Sequence, residues 1–155
     1  MLPFGQLAPS PGWGEPRASR LTHDEERTQF ALWSIARSPL ILGANLTRLD
    51  AFTRKLITNP AIIALNQDGR GAHPLTTLPP GFEHVRVWET TLHGAPVLAL
   101  FNLADTPVRL RASWKQLGLA RNRYAAHDLW SGGSTVSDGL DVDVRAHGNA
   151  VYRLQ

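Results

Sequence analysis

The sequence predicts an α+β chain in two parts. Residues 1–72 read as the C-terminal end of a (β/α)8 barrel, in the order helix–strand–helix, and residues 73–155 as an antiparallel β-sandwich. Three observations lead there. A capped helical period beginning at Thr22 ends at Ser38-Pro39 and is followed by the wholly apolar run Leu40-Ile41-Leu42, closed by Gly43. A second helical period starts at Ala51. From about Phe82 the apolar period shortens to two, with Gly and Asp turns between short runs.

Residues 1–20 hold Pro3, Pro9, Pro11 and Pro16 with Gly5, Gly12 and Gly14, which is loop chemistry. Thr22-His23-Asp24-Glu25 is a capping box: the threonine hydroxyl accepts the N3 amide and Glu25 reaches back. Asp24, Glu25 and Glu26 sit where the helix dipole favours negative charge, so their clustering is explained without acid/base work. The helix is expected to run to about Arg37, with Phe30, Trp33 and Arg37 on one face and Ile35 and Ala36 widening it. Leu40-Ile41-Leu42 has the continuous apolarity of a parallel strand buried on both faces. Asp50 is an N-cap for a helix over Ala51 to about Thr58. Asn59-Pro60 starts a further helical turn through Ile63, which Asn66-Gln67-Asp68-Gly69 breaks.

The domain boundary is placed between Gly69 and Gly81. In the second part Val85 and Val87 alternate with Arg86 and Trp88, and His93-Gly94 marks a hairpin turn into Val97–Phe101. Ala104–Pro107 turns the chain into Val108–Ala112. Tyr124–Leu129, Leu140–Val144 and Ala150–Leu154 supply the remaining strands.

Composition is that of a globular chain: 155 residues, 43% apolar and 19% charged. The net charge of +3 comes almost wholly from arginine, since only Lys55 and Lys115 are lysines. These arginines are scattered rather than clustered on one element, so no nucleic-acid partner is read. No run approaches the roughly 20 apolar residues of a membrane span, so no membrane partner is read either. The start, Met1-Leu2-Pro3-Phe4-Gly5, has neither a basic n-region nor an apolar h-region of a signal peptide. The absence of cysteine excludes disulfides and thiolate metal sites.

The ordered set Ala31-Leu32-Trp33, Ser38-Pro39-Leu40, Gly43-Ala44-Asn45-Leu46 and Ile62-Ile63-Ala64-Leu65-Asn66-Gln67-Asp68 resembles the end of the catalytic barrel in glycoside hydrolase family 27. That family comprises α-galactosidases and α-N-acetylgalactosaminidases. Ala99-Leu100-Phe101-Asn102, Leu117-Gly118-Leu119 and Asp128-Leu129-Trp130-Ser131 resemble its C-terminal sandwich. The resemblance implies a retaining glycosidase that needs no cofactor and no metal and acts on an α-galactoside, in a family whose members are often secreted or periplasmic. It also implies that both catalytic aspartates, after the fourth and sixth barrel strands, precede Met1, so none is assigned to a residue of this chain. The family's Asp-Met-Leu near the seventh strand borders the sugar pocket. Met1-Leu2 matches its last two letters, making Met1 the candidate substrate-binding residue. Asn45 stands where the family commonly has Asp.

Other chemistry is weaker. Asp141 and Asp143 share one strand face about 7 Å apart, the wet side of an amphipathic strand. The six histidines lack metal-ligand spacing. Gly12-Trp13-Gly14 lacks the preceding strand of a phosphate-binding turn. Asn45-Leu46-Thr47 is a formal glycosylation sequon on what is expected to be a buried edge. Trp13, Trp88, Trp114 and Trp130 are candidates to stack on sugars, although they fall in different elements. The expectation is thus the C-terminal part of an α-galactosidase-like hydrolase, inactive alone. The alternatives are a stand-alone carbohydrate-binding or structural module, with Trp88 or Trp130 on the glycan, and a subunit that complements an N-terminal barrel chain. Exposed barrel-strand side chains are expected to make the isolated chain self-associate, or its helices refold onto the sandwich.

Overall fold

A computed structural model of the chain describes residues 1–7 and 15–155. Pro9, Pro11, Trp13 and the Gly12-Trp13-Gly14 turn lie outside the described residues. Two layers flank one central sheet. That sheet has six strands in the order β3-β4-β5-β10-β7-β8, formed by β3 (Arg70–Pro74), β4 (Val85–Leu92), β5 (Ala95–Asn102), β7 (Tyr124–Asp128), β8 (Ser134–Ser137) and β10 (Asn149–Leu154). Every pairing in it is antiparallel.

One face of the sheet packs on the two-stranded ribbon of β6 (Val108–Ser113) and β9 (Gly139–Val144). The other packs on α1 (His23–Ile35), α2 (Ala51–Ile57) and α3 (Pro60–Asp68). Strand β5 explains the arrangement. Leu98 and Leu100 join the sandwich core with Leu110, Leu140 and Trp114, whereas Val97, Ala99 and Phe101 join the helix-side core with Phe30, Ile35, Ile62 and Leu65. A continuous apolar run is what a strand covered on both faces requires.

Asn102 closes the strand. Buried to 1% exposure, its amide donates to the carbonyls of Thr106, Val144 and Arg145, and its oxygen accepts from the Ala104 N–H. The β4–β5 hairpin turns on His93-Gly94, both at positive φ (49° and 76°), with Leu92 opposite Ala95. That is the backbone a two-residue primed turn needs.

The helix starts follow the sequence. Thr22 and Glu25 form the capping box on α1, Asp50 caps α2 through Thr53, and Asn59 caps α3 with Pro60 in its first turn. Four expectations change. Helix α1 stops at Ile35 and Arg37 adopts φ 54°; Phe30 and Ile35 are buried as expected, but Glu26, Ala31 and Ser34 share their face in place of Trp33 and Arg37. Helix α3 runs through Asn66-Gln67-Asp68 to Gly69, because the Arg37 guanidinium covers the carbonyls of Asn66 and Gln67 and the Asn66 amide donates to Ser38 O.

The first residues are more than loop. Leu2 and Phe4 are fully buried, and β1 (Gln6–Leu7) pairs with β2 (Arg17–Ala18). Finally, Leu40–Leu42 is not a doubly buried strand. It makes a single parallel bridge, Leu2 to Leu42, and Ile41 is 60% exposed because no described element lies on its outer side.

Candidate functional site

The site suggested by the sequence lies where two parallel segments meet. Leu2 N–H donates to Ile41 O (2.7 Å) and Gly43 N–H to Leu2 O (2.8 Å). In a parallel barrel, ligand contacts come from the carboxyl ends of the strands. Here those ends are Pro3–Gly5 and Ala44–Asn45, tied by Asn45 N–H to Gln6 O (2.7 Å). Met1 is 70% exposed and its side chain lies across Gly43. A Cβ on residue 43 would stand 3.0 Å from Met1 Cγ and 3.1 Å from Sδ, so glycine makes room for the methionine.

Asn45 has a structural task. Its Oδ1 accepts from Thr47 N (3.0 Å) and Thr47 Oγ1 (2.7 Å), starting the 3-10 turn Leu46–Arg48. An aspartate would make the same cap. The sequon there is more open than a buried edge, since Leu46 and Thr47 are exposed and Asn45 half-buried.

Below these segments sits a carboxylate, Glu26, that the sequence placed with the helix dipole in the first turn of α1 and not in the interior. Glu26 is 3% exposed and accepts the Gly5 N–H at 3.2 Å. Burial pushes its pKa up, against the opposing pull of the Gly5 amide and the Ser19 hydroxyl. Its position four residues before Phe30 was the available signal, because it places Glu26 on the buried stripe. Asp50, next to it, is lowered mainly by the Thr53 amide it caps. Gly5 holds φ 62° with Thr53 packed against it: a Cβ there would meet Thr53 Oγ1 at 2.8 Å.

Asp24, Asp128 and Asp143 line one cleft, and the first two are held by protein partners. Asp141 and Asp143 are exposed on β9, and Asp141 is gripped by Arg109 and Arg111. Asp24 pairs with Arg27 and Arg145, and Asp128 ties its own turn through Trp130 N and Ser131 Oγ. Among the described residues no group of three or more His, Asp or Glu could hold a metal ion. The tryptophans separate as well. Trp114 is buried in the sandwich core and donates to Ser137 O, Trp88 is half-buried on β4, and Trp130 borders a cleft between the helices and the sandwich.

A parallel barrel edge beside an antiparallel sandwich defines a class of fold, a barrel followed by a β-sandwich. The description of the α-galactosidase A family fits residues 14–68, and that of the α-galactosidase C-terminal β-sandwich domain fits residues 83–154. The chain belongs to glycoside hydrolase family 27, matching the C-terminal part of its members. It is 30% identical over 152 residues to an α-galactosidase of Cyamopsis tetragonoloba, covering 92% of this chain and 36% of that protein. An Aspergillus niger α-galactosidase A is 33% identical over 138 residues, covering 86% and 25%.

Among solved structures, a family 27 β-L-arabinopyranosidase from Geobacillus stearothermophilus is 30% identical with a TM-score of 0.86, covering 99% of this chain and 35% of that one. An α-galactosidase from Mortierella vinacea is 26% identical, with a TM-score of 0.75 over 87% of this chain and 36% of that one. The chain thus spans between a quarter and just over a third of the length of these relatives.

Proposed function

We propose that this chain is the C-terminal part of an α-galactosidase-like retaining glycoside hydrolase that releases terminal α-galactosyl residues, and that it is inactive by itself. Retaining hydrolysis needs two carboxyl groups about 5–5.5 Å apart, one as nucleophile and one as acid/base. The observation that carries the reading is the employment of the carboxylates. Asp24, Glu25, Asp50, Asp128 and Asp141 each hold a backbone amide or a guanidinium. Glu26, the one with a raised pKa, is buried under Gly5 where no substrate oxygen reaches it.

In this reading the chain contributes the last barrel edge, with Met1 at the rim of the sugar pocket. Its sandwich braces the helices from outside. The nucleophile and acid come from an N-terminal barrel portion, in the same chain or in a partner, which covers Met1, Ile41 and Leu46. The specificity follows from shared stereochemistry. An α-D-galactopyranoside and a β-L-arabinopyranoside present the same ring hydroxyls and differ by one hydroxymethyl group, so both classes of relative support the same pocket geometry.

The test is turnover of nitrophenyl α-galactoside and nitrophenyl β-L-arabinopyranoside by the purified chain. Measurements are made alone and after mixing with the separately expressed N-terminal barrel portion of a family relative. No turnover alone and turnover with the barrel portion is the expected result; hydrolysis by the chain alone overturns the proposal.

A further inference from the structure

The seam between the helices and the sandwich opens into a cleft of about 540 Å³, within the size range of small-ligand sites. We propose that this cleft binds a neutral pyranose unit, with Trp130 as its stacking platform and Asp128, Ser131 and Tyr152 as its hydrogen-bonding wall. Three observations carry the inference.

First, Trp130 is held rather than merely packed. Its backbone N–H donates to Asp128 Oδ1 (2.9 Å) and its indole Nε1–H to Asn149 Oδ1 (2.7 Å). Asn149 in turn donates to Thr28 Oγ1 (3.1 Å), and the Thr28 hydroxyl to His147 O (2.7 Å). The ring plane is therefore fixed relative to α1 and β10 before any ligand arrives, and preorganisation of this kind lowers the cost of binding.

Second, polar groups of the right kind meet beside it. Asp128 takes the Ser131 hydroxyl at 2.6 Å and keeps further lone pairs. The half-buried Tyr152 hydroxyl has no protein partner among the described residues, although Asp128 lies close enough to join burial in raising its pKa. A sugar hydroxyl, which both donates and accepts, satisfies tyrosine and carboxylate together.

Third, the charges lining the cleft cancel. Asp24, Asp128 and Asp143 face Arg27, Lys55 and Arg145, and Asp24 already pairs with both arginines. A neutral, hydroxyl-rich ligand with a flat face fits such a lining better than an anion or a cation. The Phe52 ring is already stacked on His23 and under Arg27, which leaves Trp130 as the platform.

The test uses the intact chain labelled with nitrogen-15, following the Trp130 indole resonance, assigned with Trp130→Phe. Methyl α-galactoside, methyl α-mannoside and galacturonate are added up to about 100 mM, because single-sugar sites are millimolar on the usual affinity scale. The expected result is a saturable shift of that resonance with one or both neutral sugars, weakened severalfold in Tyr152→Phe and in Asp128→Asn, and no tighter binding of galacturonate. Tyr152→Phe removes only a hydroxyl, so it reports on the site even where Trp130 variants disturb the seam. An unmoved Trp130 resonance, equal binding by both wall variants and the parent chain, or preference for galacturonate overturns the inference. Neither this readout nor its failure depends on whether the chain takes part in hydrolysis.

Discussion

Asp141 shows how the chain spends a carboxylate. Its oxygens take a two-pronged grip from Arg109 (2.8 and 3.0 Å) and a third bond from Arg111 at 3.2 Å. The Arg109 guanidinium, seconded by Arg111, brings its pKa down to about 2. A carboxylate depressed on folding adds stability at pH values above its unfolded pKa of about 3.9, and that stability is lost as pH falls through the folded value. Asp141→Asn is therefore expected to melt below the parent chain at neutral pH, by a small margin because the pair is on the surface. The gap should close as pH falls from about 4 to about 2. Thermal melts of both chains across that range check it, and a gap that persists unchanged into acid contradicts the assignment. The alternation Leu140–Val144 revealed that Asp141 and Asp143 share a wet face. It did not reveal the arginines, because nothing local sets the register between β6 and β9, whose pairing brings Arg111 opposite Asp141 and Arg109 opposite Asp143.

At the scale of elements, what the sequence shows clearly is what is decided within a few residues. Thr22, Asp50 and Asn59 each cap a helix through amides no more than three residues away, so each was visible in the chain. The buried face of α1 was not, because Glu26 and Ser34 interrupt its apolar stripe and tertiary packing chose the face. Strand β8 was invisible for a related reason: Ser134-Thr135-Val136-Ser137 is an exposed edge with no apolar alternation to read. Asn59 does more than cap. While its oxygen takes the amides of Ala61 and Ile62, its Nδ2 donates to Leu129 O at 3.2 Å, joining α3 to the turn that carries Trp130. Asn59→Ala is expected to cost about 1–2 kcal/mol in urea denaturation, while Asn59→Ser keeps the cap and recovers roughly half. Equal stability of all three chains would show that neither bond matters to folding.

The whole molecule is asymmetric in how well it is covered. The middle strands of the central sheet are covered on both faces, and its two cores account for most of the buried apolar side chains. The barrel edge is open: Met1 is 70% exposed, Ile41 60% and Leu46 67%. The sequence showed Leu40-Ile41-Leu42 as a run that wants burial on both sides, and the structure supplies a neighbour on one side only, through Leu2. Burying a side chain such as Ile41 contributes about 1.5–3 kcal/mol, so the open edge favours any partner that covers it. The purified chain is expected to self-associate through this edge in sedimentation velocity. Ile41→Lys should shift it toward monomer, at little cost to folding because the side chain already faces solvent. Val136→Lys is the control, since Val136 is equally exposed at 60% but lies on β8 across the sheet. Adding the N-terminal barrel portion of a relative should suppress association of the parent chain, because both compete for one edge. A monomer at every concentration, or equal dispersal by the two lysine variants, would show that the barrel edge is not the adhesive surface.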